Sequence, residues 1–187
     1  MDKKQIRKEL LEKRKNIPKD KKAIYDKEIS HKIIQSDYFK KANQVLIFAS
    51  VGDEFDTRLI IEKCQMEYKH VFYPLCVDNQ GDMKFLKVDS VGDLQVGMYN
   101  IPEPKKNCKE YQPQENDLII VPCLSVDDNG YRIGYGKGYY DRFLKDFKGI
   151  SICPCYSELL TDQLPIDKYD IKIKVLITEQ FIKEVIL

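Results

Sequence analysis

Histidine is almost missing from this sequence: His31 and His70 are the two imidazoles in 187 residues. His31 lies in a polar helical pattern and His70 at the start of an apolar run, so a Ser–His or Cys–His nucleophilic pair has only weak candidates. Long apolar stretches are missing too, none approaching the ~20 residues that span a bilayer. The opening Met1-Asp2-Lys3-Lys4-Gln5-Ile6-Arg7 lacks the apolar centre of a signal peptide, and the expectation is a soluble, cytoplasmic protein with no membrane partner. There is no excess of one charge: 31 Lys+Arg stand against 30 Asp+Glu, a net +1, which leaves no molecule-wide field to draw in nucleic acid or acidic lipid. No C-x-x-C spacing occurs. The six cysteines (Cys64, Cys76, Cys108, Cys123, Cys153, Cys155) do not read as a disulfide framework in a chain of this length with no export signal. Cys76, Cys123, Cys153 and Cys155 sit in or beside apolar runs as small hydrophobes. Cys153-Pro154-Cys155 has no partner histidine nearby, so no structural metal is expected there.

What is present is a globular composition, 43% hydrophobic and 33% charged, in a length that suits one domain over residues 1–187, expected as a monomer. Residues 2–16 predict a helix with Asp2 as cap and Ile6, Leu10 and Leu11 on one face; Pro18 ends it, and a second helix follows over 19–36. Then come short apolar runs: Val45–Ala49, Val71–Tyr73, Leu118–Val121, Ile150–Cys153 and Val175–Ile177. Near-continuous β-branched runs suit strands covered on both faces, as in parallel sheets. Helical patterns at 57–68 and 138–148 separate several of them. The expected fold is α/β: a three-layer α/β/α sandwich with a mostly parallel central sheet and an N-terminal helical pair. A polar stretch from Val88 to Asn116, with Pro102, Pro104 and Pro113, reads as one long connection near a site.

Residues 1–41 hold fourteen Lys/Arg against seven Asp/Glu. That excess is either a solvated helix face or a source of cations for an anionic ligand. A nucleic-acid surface is not expected, because the excess is balanced elsewhere in the chain and no aromatic stacking platform accompanies it.

Of nine glycines, four (Gly130, Gly134, Gly136, Gly138) fall within nine residues, between the run Leu118–Val121 and a helix whose apolar face is Tyr140, Phe143, Leu144 and Phe147. A glycine-rich turn at a helix N-terminus exposes N–H groups and the positive end of the dipole, which together bind phosphate. Lys137 adds a point charge and Arg132 a planar fork. Asp141 in the first turn would repel phosphate unless a divalent cation such as Mg²⁺ bridges the two. The loop is not a P-loop, since Lys137 is followed by glycine, nor a dinucleotide fingerprint, since Tyr139 stands at the third glycine position.

The segment Gly134-Tyr135-Gly136-Lys137-Gly138-Tyr139-Tyr140-Asp141-Arg142 resembles the G-x-G-(K/G)-G-Y-Y-D-R motif of the 5-formyltetrahydrofolate cyclo-ligase (5,10-methenyltetrahydrofolate synthetase) family. Lys3-Lys4-Gln5-Ile6-Arg7 is similar to that family's basic first helix, and Ser50–Thr57 to its turn after the first strand. Asn100-Ile101-Pro102-Glu103-Pro104 is similar to its N-I-P-x-P segment, and Tyr169-Asp170 to its loop before the last strand. The resemblance implies ATP contacts from Lys3, Lys4, Arg7 and the loop Arg132, Gly134, Tyr135, Gly136, Lys137, Gly138, Tyr139 and Tyr140. It implies substrate contacts from Glu54, Tyr99, Tyr135 and Tyr139, magnesium ligands Asp141 and Asp170, and Lys137 and Tyr139 nearest the chemistry. Three positions depart from the family pattern. Tyr135 and Tyr99 stand where Arg and Trp are common, so one phosphate-facing charge is either missing at 135 or supplied by Arg132, and Lys174 stands where an acidic residue is common.

The implied reaction is ATP- and Mg²⁺-dependent closure of 5-formyltetrahydrofolate, a small-molecule substrate, to 5,10-methenyltetrahydrofolate. The residues alone also admit a phosphate-binding isomerase or deaminase on a related sheet, or a nucleic-acid-binding module using the basic helices. Dependence on ATP separates the first reading from both.

Overall fold

The computed structural model describes residues 2–78, 81–97 and 101–186. The chain opens with α1 (Lys3–Lys15), α2 (Lys19–Gln35) and the short α3 (Asp37–Lys41). Asp2 caps α1 by accepting from Gln5 N at 2.8 Å, and Lys13, Arg14 and Lys15 sit at the negative end of its dipole. Ser36 closes α2 and caps α3, accepting from Phe39 N. Then follow β1 (Gln44–Ile47), α4 (Arg58–Met66), β2 (His70–Cys76), β3 (Met83–Lys87), β4 (Leu94–Val96), β5 (Pro102–Pro104) and β6 (Leu118–Ile120). The chain continues through β7 (Ser125–Val126), β8 (Arg132–Ile133), α5 (Tyr139–Asp146), β9 (Ile150–Pro154), β10 (Val175–Ile177) and β11 (Ile182–Glu184).

Seven strands form the central sheet in the order β11-β10-β9-β6-β1-β2-β3. The five apolar runs are its parallel centre, β10 to β2, and antiparallel β11 and β3 are its edges. Alternate residues face opposite layers. Val45, Ile47, Leu118 and Ile120 pack with Ile29 and Ile33 of α2, Phe39 of α3 and Ile60 of α4. Leu46, Ile119 and Val121 pack with Leu144, Phe143 and Phe147 of α5 and its flank. The layers are therefore helices, sheet and helix, the expected sandwich.

Two expectations change. The N-terminal helices part company at Pro18: α2 joins the main core, whereas α1 sets Ile6 and Leu10 against Leu124, Ile133 and Leu164 beside the hairpin β7–β8. The stretch from Val88 to Asn116 is not one plain connection. It carries the antiparallel pair β4–β5, and its later part lies on the free edge of β3, where Tyr111 N donates to Phe85 O and Lys87 N to Lys109 O. That cover blunts an otherwise open sheet edge.

Candidate active site

Counted among the parallel strands, the order β2-β1-β6-β9-β10 reverses between β1 and β6. From β1 the chain leaves for α4 on one face, and from β6 for α5 on the other. The segments leaving the C-terminal ends of β1 and β6 therefore diverge, and in open α/β sheets that crevice is where ligands bind. The two segments are Ser50–Thr57 and Pro122–Gly138, which carry Glu54 and the glycine loop.

The first is folded by its own hydrogen bonds. Thr57 Oγ1 donates to Phe48 O at 3.0 Å and Glu54 N to Val51 O at 3.2 Å. Gly52 takes φ +59°, a left-handed turn position that suits glycine. Glu54 is 9% exposed. Its Oε2 accepts from Val51 N at 3.0 Å and its Oε1 from the Tyr135 hydroxyl at 2.6 Å. Tyr135 is 53% exposed as a residue, yet its hydroxyl points inward. Burial first, and then the adjacent Glu54, push that hydroxyl up to about 12.

In the second segment Asp127 ties the β7–β8 turn, accepting from Asn129 N and Tyr131 N on one oxygen and from Leu164 N on the other. The loop then runs to α5 with Gly136 at φ +96° and Gly138 at φ +71°. Gly138 is the N-cap of α5 and supplies no side-chain acceptor, so the first N–H groups of that helix have no side-chain cap. Lys137 is exposed beside them. Arg7 of α1 donates through Nε to Gly134 O at 2.9 Å, and a Cβ on Gly136 would lie 2.9 Å from its Cζ. Close approach of α1 thus needs a glycine there. Arg142 anchors the far side, donating to Gly81 O and Lys137 O. The Tyr139 hydroxyl donates to Asp78 O at 2.7 Å.

In the first turn of α5, Asp141 Oδ1 accepts from Arg132 Nη1 at 3.0 Å and from Ile171 N at 3.2 Å. This draws the loop before β10 onto α5 and brings Asp170 beside it. Asp170 Oδ2 accepts from Lys3 Nζ at 2.5 Å and Asp167 N at 2.7 Å. Partial burial pulls the Lys3 ammonium down, but Asp167 and Asp170 hold it above its ordinary range; Lys3 in turn holds the Asp167 carboxyl below its own. Asp141 Oδ2 and Asp170 Oδ1 take no hydrogen bond from any described residue. No three His, Cys, Asp or Glu side chains gather as a metal site among the described residues. The two spare carboxylate oxygens therefore suit a cation that draws the rest of its coordination from phosphate and water, as Mg²⁺ does.

A cavity of about 480 Å³ opens beside Glu54, lined among others by Lys19, Lys22, Asp53, Asp56, Arg58 and Tyr73. Its α2 side was not singled out from sequence, because the excess of cations over residues 1–41 marks no particular lysine.

Compared with known proteins, the sequence matches the 5-formyltetrahydrofolate cyclo-ligase family over residues 1–179. The chain belongs to this family. Relatives that carry the cyclo-ligase name include the Escherichia coli K12 protein, 29% identical over 142 residues, covering 73% of this chain and 78% of that one. The Mus musculus protein is 27% identical over 163 residues, covering 78% and 77%. The NMR structure of Aquifex aeolicus 5,10-methenyltetrahydrofolate synthetase superposes with a TM-score of 0.87 at 31% identity, covering 99% of this chain and 93% of that chain. The Mycoplasma pneumoniae synthetase, 22% identical with a TM-score of 0.77 and coverage of 96% and 99%, shares the fold.

Within this cyclo-ligase chain the crevice gathers Glu54, Arg7, Arg132, the loop Gly134–Tyr139, Asp141 and Asp170, with Lys3 at its rim and Lys4 exposed on α1. Tyr140 is different: it is turned into the core, 6.3 Å ring to ring from Phe85, with its hydroxyl buried and without a partner among the described residues. Tyr99 and Asn100 lie outside the described residues. Arg132, one of the two ways of accounting for the charge absent at Tyr135, is engaged by Asp141. Arg14, which sequence reasoning passed over, reaches the Tyr135 hydroxyl at 2.7 Å. Its signal was legible: Lys3, Arg7, Leu10 and Arg14 follow i, i+4, i+7, i+11, one face of a helix. The Lys174 ammonium donates to Gly149 O and Lys148 O, away from the Asp170 carboxylate.

Proposed function

We propose that this chain closes 5-formyltetrahydrofolate to 5,10-methenyltetrahydrofolate at the expense of ATP, releasing ADP and phosphate. The observation that carries the reading is the 2.6 Å hydrogen bond from Tyr135 to Glu54. It joins a loop suited to phosphate with a carboxylate suited to the adjacent N–H donors of a pterin. The carbonyl oxygen of a formamide leaves poorly. Once that oxygen has taken the γ-phosphoryl group, with ADP as the leaving group, N10 attacks the formyl carbon and gives up its proton, and the oxygen then leaves as phosphate as the ring closes.

In this reading the uncapped N-terminus of α5 and the N–H groups of Gly136–Gly138 receive the triphosphate, with Lys137 beside the γ-phosphate. Arg7 keeps the loop seated on α1, and Tyr139 holds it against the strand that precedes Asp78. Asp141 and Asp170 are the residues that would hold Mg²⁺, each through its spare oxygen; when bound, the ion neutralises charge on the transferring group. Lys3 holds the Asp170 loop against α1. Glu54 orients the pterin, and the cavity beside it takes the remainder of the folate. No histidine is needed, because the chemistry asks for positioning and charge rather than a covalent nucleophile. The described thiols are all free, in keeping with a reducing cytoplasm, and we read the chain as one monomeric domain.

The test mixes protein, MgATP and 5-formyltetrahydrofolate and follows the near-UV absorbance of the methenyl product. The expected result is an ATP-dependent rise that falls at least about 100-fold with Lys137→Ala, the scale of removing one charge-stabilising group from a transition state. A phosphate-binding isomerase or deaminase on the same sheet would be indifferent to ATP.

A further inference from the structure

Arg14 is 8% exposed, which is deep for a guanidinium. Burying that charge is costly unless its donors are used, and here the use is uneven. Nη2 donates to the Tyr135 hydroxyl at 2.7 Å and Nη1 only distantly to Cys123 O at 3.4 Å, while Nε is buried with no partner among the described residues. No carboxylate pairs with Arg14 directly among the described residues. The first acidic group along its strongest contact is Glu54, one hydroxyl away.

A tyrosine hydroxyl has one proton to give and lone pairs to receive. Because Arg14 donates into the oxygen of Tyr135, the Tyr135 proton must go to Glu54 Oε1. Val51 N occupies one site on Oε2 in the same way. A carboxylate has about four lone-pair sites, so each oxygen of Glu54 keeps one for two neighbouring N–H donors of a ligand. We propose that Arg14 is a positioning residue for the substrate carboxylate: acting through Tyr135, it sets the direction of the hydrogen bond that fixes Glu54 for two-point capture of the pterin. The proposal rests on the reading that Glu54 receives the pterin.

The test measures the dissociation constant of 5-formyltetrahydrofolate by calorimetry without ATP, and KM for both substrates, in a double-mutant cycle. Arg14→Met is expected to weaken folate binding about tenfold and to leave KM for ATP within twofold. In a Tyr135→Phe background the same substitution is expected to be silent, because the hydroxyl through which it acts is gone. Tyr135→Arg, which carries its own cation to Glu54, is expected to restore folate binding to Arg14→Met to within about threefold. Should Arg14→Met fail to fold, Arg14→Lys and Arg14→Gln make the same comparison, lysine retaining most of the affinity and glutamine losing it. Additive effects of Arg14 and Tyr135, equal losses for both substrates, or no rescue by Tyr135→Arg would overturn the proposal. The two failures are distinguishable. If wild type forms no methenyl product, the functional reading is wrong; if it turns over normally and the cycle is additive, the role of Arg14 alone is wrong.

Discussion

Tyr135 does two things that a free tyrosine side chain in water would not do together: the residue stays half exposed while its hydroxyl is shut against Glu54 and Arg14. The hydroxyl of the folded protein keeps its proton to about pH 12, against an ordinary value of 10.0, because burial and then Glu54 disfavour the phenolate, with Arg14 pulling the other way. The native state thus binds this proton more tightly than the unfolded chain. By linkage, that contribution to stability is complete below pH 10 and fades as pH rises towards about 12. The stability gap between wild type and Tyr135→Phe, from urea unfolding, should be flat from pH 7 to about 10 and narrow above it. A gap unchanged up to about pH 12 would contradict the buried-hydroxyl assignment. Over any ordinary assay range the donor to Glu54 is therefore present, and folate binding should show no dependence on Tyr135 ionisation. At this scale the sequence was informative for some residues and mute for others. Glu54 and Asp141 stood in recognisable turns, but the partner of Tyr135 lay 121 positions away on another element, where no local pattern connects the two.

At the scale of elements, the glycine loop and α5 behave as one unit. Gly136 and Gly138 both lie at positive φ, while Gly134 does not and has open space where a Cβ would be. The three glycines therefore should not respond alike. Gly136→Ala puts an L-residue at φ +96° and a Cβ 2.9 Å from Arg7 Cζ; the arginine end can shift, but the backbone strain remains, about 1–2 kcal/mol. For a protein of this length that is a fall in Tm of several degrees, accompanied by weaker ATP binding as Arg7 loses its place on Gly134 O. Gly134→Ala should leave Tm within about a degree. Thermal melts of the two variants side by side decide it, and equal losses would mean that the loop is not set by the backbone positions. The loop was legible because its requirement is chemical and local. The same is true of the five parallel strands, whose β-branched runs declare burial on both faces. The edges β3 and β11 were less so: Met83-Lys84-Phe85-Leu86-Lys87 and Ile182-Lys183-Glu184 mix charge into the pattern, as edge strands do, and neither reads as a continuous run. The short pairs β4–β5 and β7–β8 depend on turns and on Asp127, which no periodicity marks.

For the molecule as a whole, the consequence lies in α1. It is held by few apolar contacts, Ile6 and Leu10 against Leu124, Ile133 and Leu164, while the rest of its attachment is polar and distributed along one face. Lys3 reaches Asp167 and Asp170, Arg7 reaches Gly134, and Arg14 reaches Tyr135. These are the loop before β10, the glycine loop, and through Tyr135 the loop after β1. One helix thus reaches the loop before β10 and the glycine loop directly, and the loop after β1 through Tyr135, without belonging to the main core. An element with little buried apolar area opens more easily than the sheet, and a ligand that requires it closed must stabilise it by mass action. Amide hydrogen exchange should therefore find α1 among the fastest-exchanging helices of the free protein. With MgATP and 5-formyltetrahydrofolate present, exchange over Lys3–Lys15 should slow at least about tenfold, with little change in β1, β6 and β9, whose opening already approaches global unfolding. Protection confined to Gly134–Gly138, with α1 unaffected, would mean that the crevice forms without the helix and that its contacts serve the fold alone.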